Sequence, residues 1–185
     1  MNVTDAIHNR RAYRSLEPVK ISREIVDDLA LHAGLSASCF NNQPWRFVFV
    51  YDKDVLAEMF ENVSRGNKWV QLSSLIIAVF SKPEDDCQIR SRIYHQFDVG
   101  MASAFLILRA TELGLVAHPI AGFSPKKVRA TLGIPDEYAV ITLINVGKKS
   151  DEIHPYLSED QVEKELERPA RKALSEFAYH NKYTE

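Results

Sequence analysis

The stretch from Ser73 to Phe80, SSLIIAVF, constrains the fold more than any other part of the chain. It is too continuously apolar for a strand with one face in water, so it reads as a strand buried on both faces. Trp45 to Val50, rich in aromatic and β-branched residues, and Tyr138 to Val146, which ends at Gly147, read as two more central strands. Helical patterns lie between them. The expected architecture is therefore an α+β sheet covered by helices. No GxGxxG follows a strand, which argues against a Rossmann dinucleotide site.

The helices announce themselves by caps and periodicity. Thr4 reads as the N-cap of a short first helix through about Asn9. Ser22 caps a second, with Glu24 in its first turn and Ile25, Leu29, His32 and Ala33 on one face. Gly34 is placed to end it with a positive φ. Val55, Leu56, Met59, Phe60 and Val63 mark a third, broken by Ser64 to Lys68. Ser81 to Asp86 reads as a polar turn, and a helical pattern begins near Arg90. Asp98 to Leu113 is the longest helix, with a buried stripe of Val99, Ala102, Leu106, Arg109 or Ala110, and Leu113. It carries too few charges for a surface helix and serves as the spine of the core or of a subunit interface. Gly114 ends it. Ser124-Pro125 is a cap followed by proline at the first helical position, and that helix stops at Gly133. The tail from Ser158 reads as a polar helix up to Arg168-Pro169. Phe177, Tyr179 and Tyr183 are too aromatic for a free tail and are expected to pack, a partner subunit being one surface for them.

Composition removes several functional classes. A chain of 185 residues, 45% hydrophobic, buries a real core within one domain. A net charge of −2 gives no general reason to seek nucleic acid or an anionic membrane. No apolar run approaches the roughly 18 residues of a membrane span, and the start has no apolar signal core. The two cysteines, Cys39 and Cys87, make no framework and no CxxC pair, which fits a reducing, cytoplasmic location. The six histidines show no metal-ligand spacing.

Three stretches carry the chemistry. Arg10-Arg11-Ala12-Tyr13-Arg14 places three guanidinium groups within five residues of a slightly acidic chain. Arginine matches a phosphate through its planar fork of donors, so the cluster is either an anion site or a solvated basic face. A nucleic-acid arm is the weakest reading, because no basic stripe continues it. The polar loop Ser36 to Gln43, fixed between a helix and a strand, either holds a flat polar ligand by its edge or is a capped connector. Leu115 to Phe123 is a short apolar strand that meets Pro119 and Gly122, where backbone can approach a ligand.

Together these pieces resemble the nitroreductase family of FMN-dependent oxidoreductases, over nearly the whole chain and in the right order. Arg10-Arg11-Ala12-Tyr13-Arg14 resembles the opening R-[RH]-S-x-[RK], and Ser38 to Trp45 resembles P-S-S-x-N-x-Q-P-W. The Asp98-Val99-Gly100 helix leads into Glu112-Leu113-Gly114-Leu115, Pro119 to Phe123 resembles P-I-E-G-F, and Val146-Gly147 is followed by Arg168-Pro169.

The resemblance implies an α+β fold with a mostly antiparallel sheet, spanning residues 1–185 as one FMN-binding domain. It implies a homodimer with FMN at the subunit interface. Arg10 and Arg168 would hold the ribityl phosphate, with Arg11 and Ala12 beside it. Arg14 would lie near flavin N1 and the C2 carbonyl. Ser38, Cys39 and Asn41 of the second subunit would line the ring, and Asn67 would reach its edge. Pro119, Ile120, Ala121 and Gly122 would complete the site, Gly122 offering its N–H to flavin N5. NAD(P)H would deliver hydride, and a nitroaromatic or quinone-like acceptor would take it in ping-pong order. A flavin storage or sensing module with little turnover is the alternative. Three departures stand out. Ala12 and Ala121 replace a serine and a glutamate, Leu166 replaces a lysine and implies fewer phosphate-holding cations, and Phe80 to Asp98 is shorter than in the longer members.

Overall fold

The structure, a computed structural model, describes residues 1–183. Helix α1 is Val3–Asn9, followed by the short strand β1, Leu16–Glu17, and helix α2, Arg23–Gly34. Strand β2, Arg46–Val50, leads into helix α3, Lys53–Phe60, and a 3₁₀ segment over Arg65–Leu72. Strand β3 is Leu75–Ser81, the hairpin strands β4 and β5 are Gln88–Ile89 and Arg92–Ile93, and helix α4 is His95–Glu112. Strand β6, Val116–Ile120, helix α5, Pro125–Leu132, strand β7, Ala139–Lys149, and helix α6, Glu159–Leu166, complete the frame.

The main sheet is antiparallel throughout. β7 is its centre, pairing with β3 over Leu75↔Val146 to Ser81↔Ala139 and with β6 over Val116↔Gly147 to Ile120↔Leu143. Its far end pairs with β1, and β2 forms the edge beyond β3. Every residue of β3 is buried, and its alternate side chains enter two different cores. Leu75, Ile77 and Val79 meet Leu29 of α2 and Val99, Ala102 and Leu106 of α4. Ile76, Ala78 and Phe80 meet Leu56 and Met59 of α3, Trp69, and Val128 of α5. A strand with helices on both faces has no wet side, which is why its sequence lacks alternation.

The caps explain most boundaries. Ser22 and Ser124 accept hydrogen bonds from Ile25 N and Lys127 N, and Gly133 closes α5 at φ 65°. Elsewhere the expectations are corrected. Asn2, not Thr4, caps α1, because Asn2 and Asp5 satisfy each other's backbone in a capping box. Gly34 stays helical and α2 ends on Leu35 in the right-handed region. The segment near Arg90 is a hairpin rather than a helix, turning where Arg90 takes φ 59°. In α4 Ala110 is buried while Arg109 reaches across to Asp28 of α2 at 2.7 Å, and Leu113 lies outside the core. Phe177, Tyr179 and Tyr183 are exposed in this chain, with Tyr179 and Tyr183 ring to ring at 4.7 Å.

Candidate functional site

The chemistry-bearing residues fall into three groups. In the first, α1 releases the chain at Arg10, and an extended run carries Arg11 to Arg14 past the C-terminal end of α6. Glu165, buried on the last turn of α6, accepts from Arg14 N at 3.0 Å and Ser15 N at 2.8 Å. Arg11 donates to the carbonyls of Lys164 and Glu165 at 3.0 and 3.2 Å, satisfying the helix terminus it faces. Arg168 does the same for α1, donating to His8 O at 2.6 Å and Arg10 O at 3.1 Å. Backbone and carbonyls thus hold the arginines in place and leave further guanidinium donors free.

These residues surround a cavity of about 200 Å³ lined by Arg10, Arg11, Ala12, Arg14, Lys164, Arg168, Pro169 and Arg171. Among the described residues no carboxylate pairs with any of its five arginines; Lys164 pairs with Asp160 at 2.6 Å. Burial lowers the Arg10 pKa, and the Arg168 and Arg171 charges lower it further. Like charges crowded around a hollow, their guanidinium groups unpaired with any carboxylate among the described residues, form a seat for a polyanion such as a phosphate. The lysine missing at Leu166 is made up from elsewhere, since Lys164 and Arg171 bring cations to the cavity.

The second group adjoins the first through Arg14, whose guanidinium carbon lies 5.9 Å from the Trp69 ring centre. Trp69 is fully buried and stacks on His118 at 4.6 Å between centroids. His118 Nδ1 is 3.1 Å from Tyr13 O, which makes that nitrogen the donor. Burial depresses the His118 pKa to about 4, with Arg14 and Arg10 pushing the same way, so the ring is neutral at physiological pH. Asn67, on the same 3₁₀ segment as Trp69, donates to Gly122 O at 3.0 Å, and Ser64 N donates to the same oxygen at 2.9 Å. A Cβ on Gly122 would meet the Asn67 amide and the Ser64 hydroxyl, so a larger residue there would push these two side chains aside. Among the described residues nothing accepts the Gly122 N–H. Of the neighbouring residues, Ile120 is buried, while Pro119 and Ala121 are exposed.

The third group is the loop of Ser38, Cys39 and Asn41, and none of the three lines the arginine cavity. The backbone here is sharply turned: Phe40, Asn41 and Gln43 have φ of 48°, 57° and 50°. Ser38 Oγ accepts from Gln43 N at 3.0 Å, and Cys39 N donates to buried Asp98 of α4 at 2.7 Å. The reading of the cysteines as unpaired is overturned. Cys39 is disulfide-bonded to Cys87, 48 residues on, at the base of the β4–β5 hairpin. Helix α4 and the sheet bring the two together, which spacing in sequence does not reveal.

Sequence reading found Arg10 to Arg14, Asn67, Gly122 and Arg168 but missed Lys164, Glu165, Arg171, Trp69 and His118. Only Lys164 and Arg171 left a trace, as charges flanking Arg168.

With this geometry in view, comparison with known proteins is informative. The nitroreductase family profile matches residues 7–71 and 64–148. YdgI of Bacillus subtilis (strain 168), provisionally named an NAD(P)H nitroreductase, is 26% identical over 185 residues, covering 80% of this chain and 88% of YdgI. An Archaeoglobus fulgidus protein, provisionally named an NADH dehydrogenase/NAD(P)H nitroreductase, is 28% identical over 164 residues, covering 84% of this chain and 90% of its own. A solved oxidoreductase containing FMN superposes with a TM-score of 0.86 at 26% identity, covering 100% of this chain and 94% of its own. The fold and the match together define an oxidoreductase class with a helix-covered antiparallel sheet. The chain belongs to the nitroreductase family, and it is an enzyme.

Proposed function

We propose that the chain is an FMN-dependent oxidoreductase that passes hydride from NAD(P)H to an electron-poor acceptor, a nitroaromatic or a quinone, in ping-pong order. The observation that carries this reading is the arginine cavity, a preformed polyanion seat beside Trp69 and the Asn67–Gly122 strap. FMN, when bound, would supply a ring that accepts and releases hydride at N5. Arg10, Arg168, Lys164 and Arg171 would hold its phosphate, with Arg11 and Ala12 alongside. Arg14, resting over Trp69, would set a fixed positive charge against the N1–C2 edge. Gly122 would present its backbone N–H at the ring's centre, with Asn67, Pro119, Ile120 and Ala121 bordering it.

Ser38, Cys39 and Asn41 would serve the site of a second copy. Support comes from the outer face of α1, α2 and α4, where a groove of about 350 Å³ is lined by Val3, Ala6, Leu35, Phe105 and Leu108, among others. Leu35 and Phe105 are 67% and 46% exposed there, so a homodimer would cover apolar surface that a lone chain leaves wet. The whole of residues 1–185 would act as one FMN-binding domain. The test is a visible spectrum followed by anaerobic addition of NADH or NADPH. Yellow protein that bleaches and regains colour with a quinone supports the enzyme; yellow protein that does not bleach turns the reading to FMN storage.

A further inference from the structure

The strongest feature outside the flavin reading is the surroundings of the disulfide. Cys87 is buried and Cys39 only partly so. The Asn42 side-chain amide donates to Cys87 Sγ at 3.5 Å and to Asp86 Oδ1 at 3.3 Å. An oxygen of Asp86 lies within 4.8 Å of both sulfurs, and its Oδ2 is buried without a partner. Asp98, 2% exposed, holds Cys39 N and faces Asp86. Two buried carboxyls in contact cannot both ionise cheaply. Burial raises the Asp98 pKa and the neighbouring Asp86 raises it further, while the hydrogen bond from Cys39 N lowers it. The adjacent Asp85 pairs with Arg46 at 3.4 Å.

We propose that Cys39–Cys87 is a second redox centre of this chain, a disulfide that exchanges with dithiols, with Cys39 attacked and Cys87 leaving. The thiolate of the dithiol bonds to Cys39 Sγ as the Cys39–Cys87 bond breaks. Cys87 Sγ takes the electron pair, stabilised by the Asn42 amide, and then takes up from solvent the proton that the attacking thiol gave up. The second thiol of the reductant attacks the mixed disulfide and releases Cys39. The dithiol is oxidised and the protein disulfide is reduced by two electrons. The asymmetry supports exchange over a purely structural bond, because Cys39 is the less buried partner and Cys87 is the one that receives the Asn42 amide. Its consequence is local: reduction removes the covalent tie between the Ser38–Gln43 loop and the β4–β5 hairpin and leaves the Cys39 N–Asp98 and Asn42–Asp86 hydrogen bonds.

The experiment counts thiols and needs no flavin chemistry, so it stands or falls apart from the proposed function. Full-length protein isolated in air is alkylated under native conditions, before and after dithiothreitol, and weighed by mass spectrometry, with near-ultraviolet circular dichroism reporting the fold. The expected result is no label before and two labels after, with the fold intact. Glutathione disulfide should then tag Cys39 in the Cys87→Ser variant, and Asn42→Ala should slow reduction about fivefold, the loss of one hydrogen bond of roughly 1 kcal/mol. Two free thiols in the protein as isolated, or a disulfide that dithiothreitol opens only when the fold is lost, overturns the proposal. Neither result depends on a variant.

Discussion

The arginine cavity and the Ser38–Asn42 loop face opposite problems. The cavity concentrates charge of one sign and fixes it mainly through the backbone, with Glu165 on Arg14 N and Ser15 N and helix-end carbonyls on Arg11 and Arg168. Its cations are left to meet a ligand. The loop concentrates strained backbone and buried acid, and it is held by internal bonds, Cys39 to Cys87 and Cys39 N to Asp98. One region is built around what it lacks, and the other is closed on itself. The difference teaches that guanidinium groups with no carboxylate partner mark a ligand seat, whereas polar residues that already satisfy one another mark an anchor or a switch.

The largest way to break the comparison is at the loop. By the chain entropy it releases, opening the 48-residue span with Cys87→Ser should cost up to about 4 kcal/mol. Urea midpoints for wild type and variant under non-reducing conditions measure it, and the cavity's affinity for FMN should change far less than stability does.

A second break lies beneath the cavity, at His118. Its folded pKa of about 4 is below the ordinary value of 6.5, so the unfolded chain binds the proton first. Stability from this group is full above pH 6.5 and is lost as pH falls from 6.5 to 4. The whole loss is about 3 kcal/mol at roughly 1.4 kcal/mol per pH unit. In His118→Gln that part of the pH profile should flatten, which denaturant melts at pH 7, 5.5 and 4.5 will show. An unchanged slope would remove His118 as its source.

How much of this was legible follows from range. Ser22, the Ser124-Pro125 start and Gly133 speak within one turn of chain, and the all-apolar β3 declares two covered faces by its own composition. Arg10 to Arg14 are neighbours along the chain, so their crowding shows in the sequence itself. Glu165 was not legible, because only the return of α6 after some 150 residues sets its carboxylate on Arg14 N. Trp69 and His118 are core residues, and their place under Arg14 exists only once β6 lies beside the 3₁₀ segment. The Asn2 cap was lost to Thr4 because both types cap well, and the reciprocal bond with Asp5 decided between them.

A smaller effect sharpens the assignment inside the cavity. Reduced flavin carries negative charge on its N1–C2 side, so Arg14→Gln should lower the midpoint potential by some tens of millivolts, with about 30 mV corresponding to 1.4 kcal/mol. Oxidised FMN should stay comparatively well bound. Equal potentials in a spectroelectrochemical titration would return Arg14 to a purely structural role over Trp69.

The central claim is that the cavity recognises a phosphate, and calorimetric titration of the apoprotein with FMN and with riboflavin tests it most directly. The two ligands share a ring and differ in the phosphate alone. The account predicts that wild type binds FMN at least about a hundredfold more tightly, consistent with several charge-assisted hydrogen bonds of roughly 1.5–3 kcal/mol each. It also predicts that Arg10→Ala loses one such increment for FMN and almost nothing for riboflavin. Equal affinities of wild type for the two ligands would contradict it.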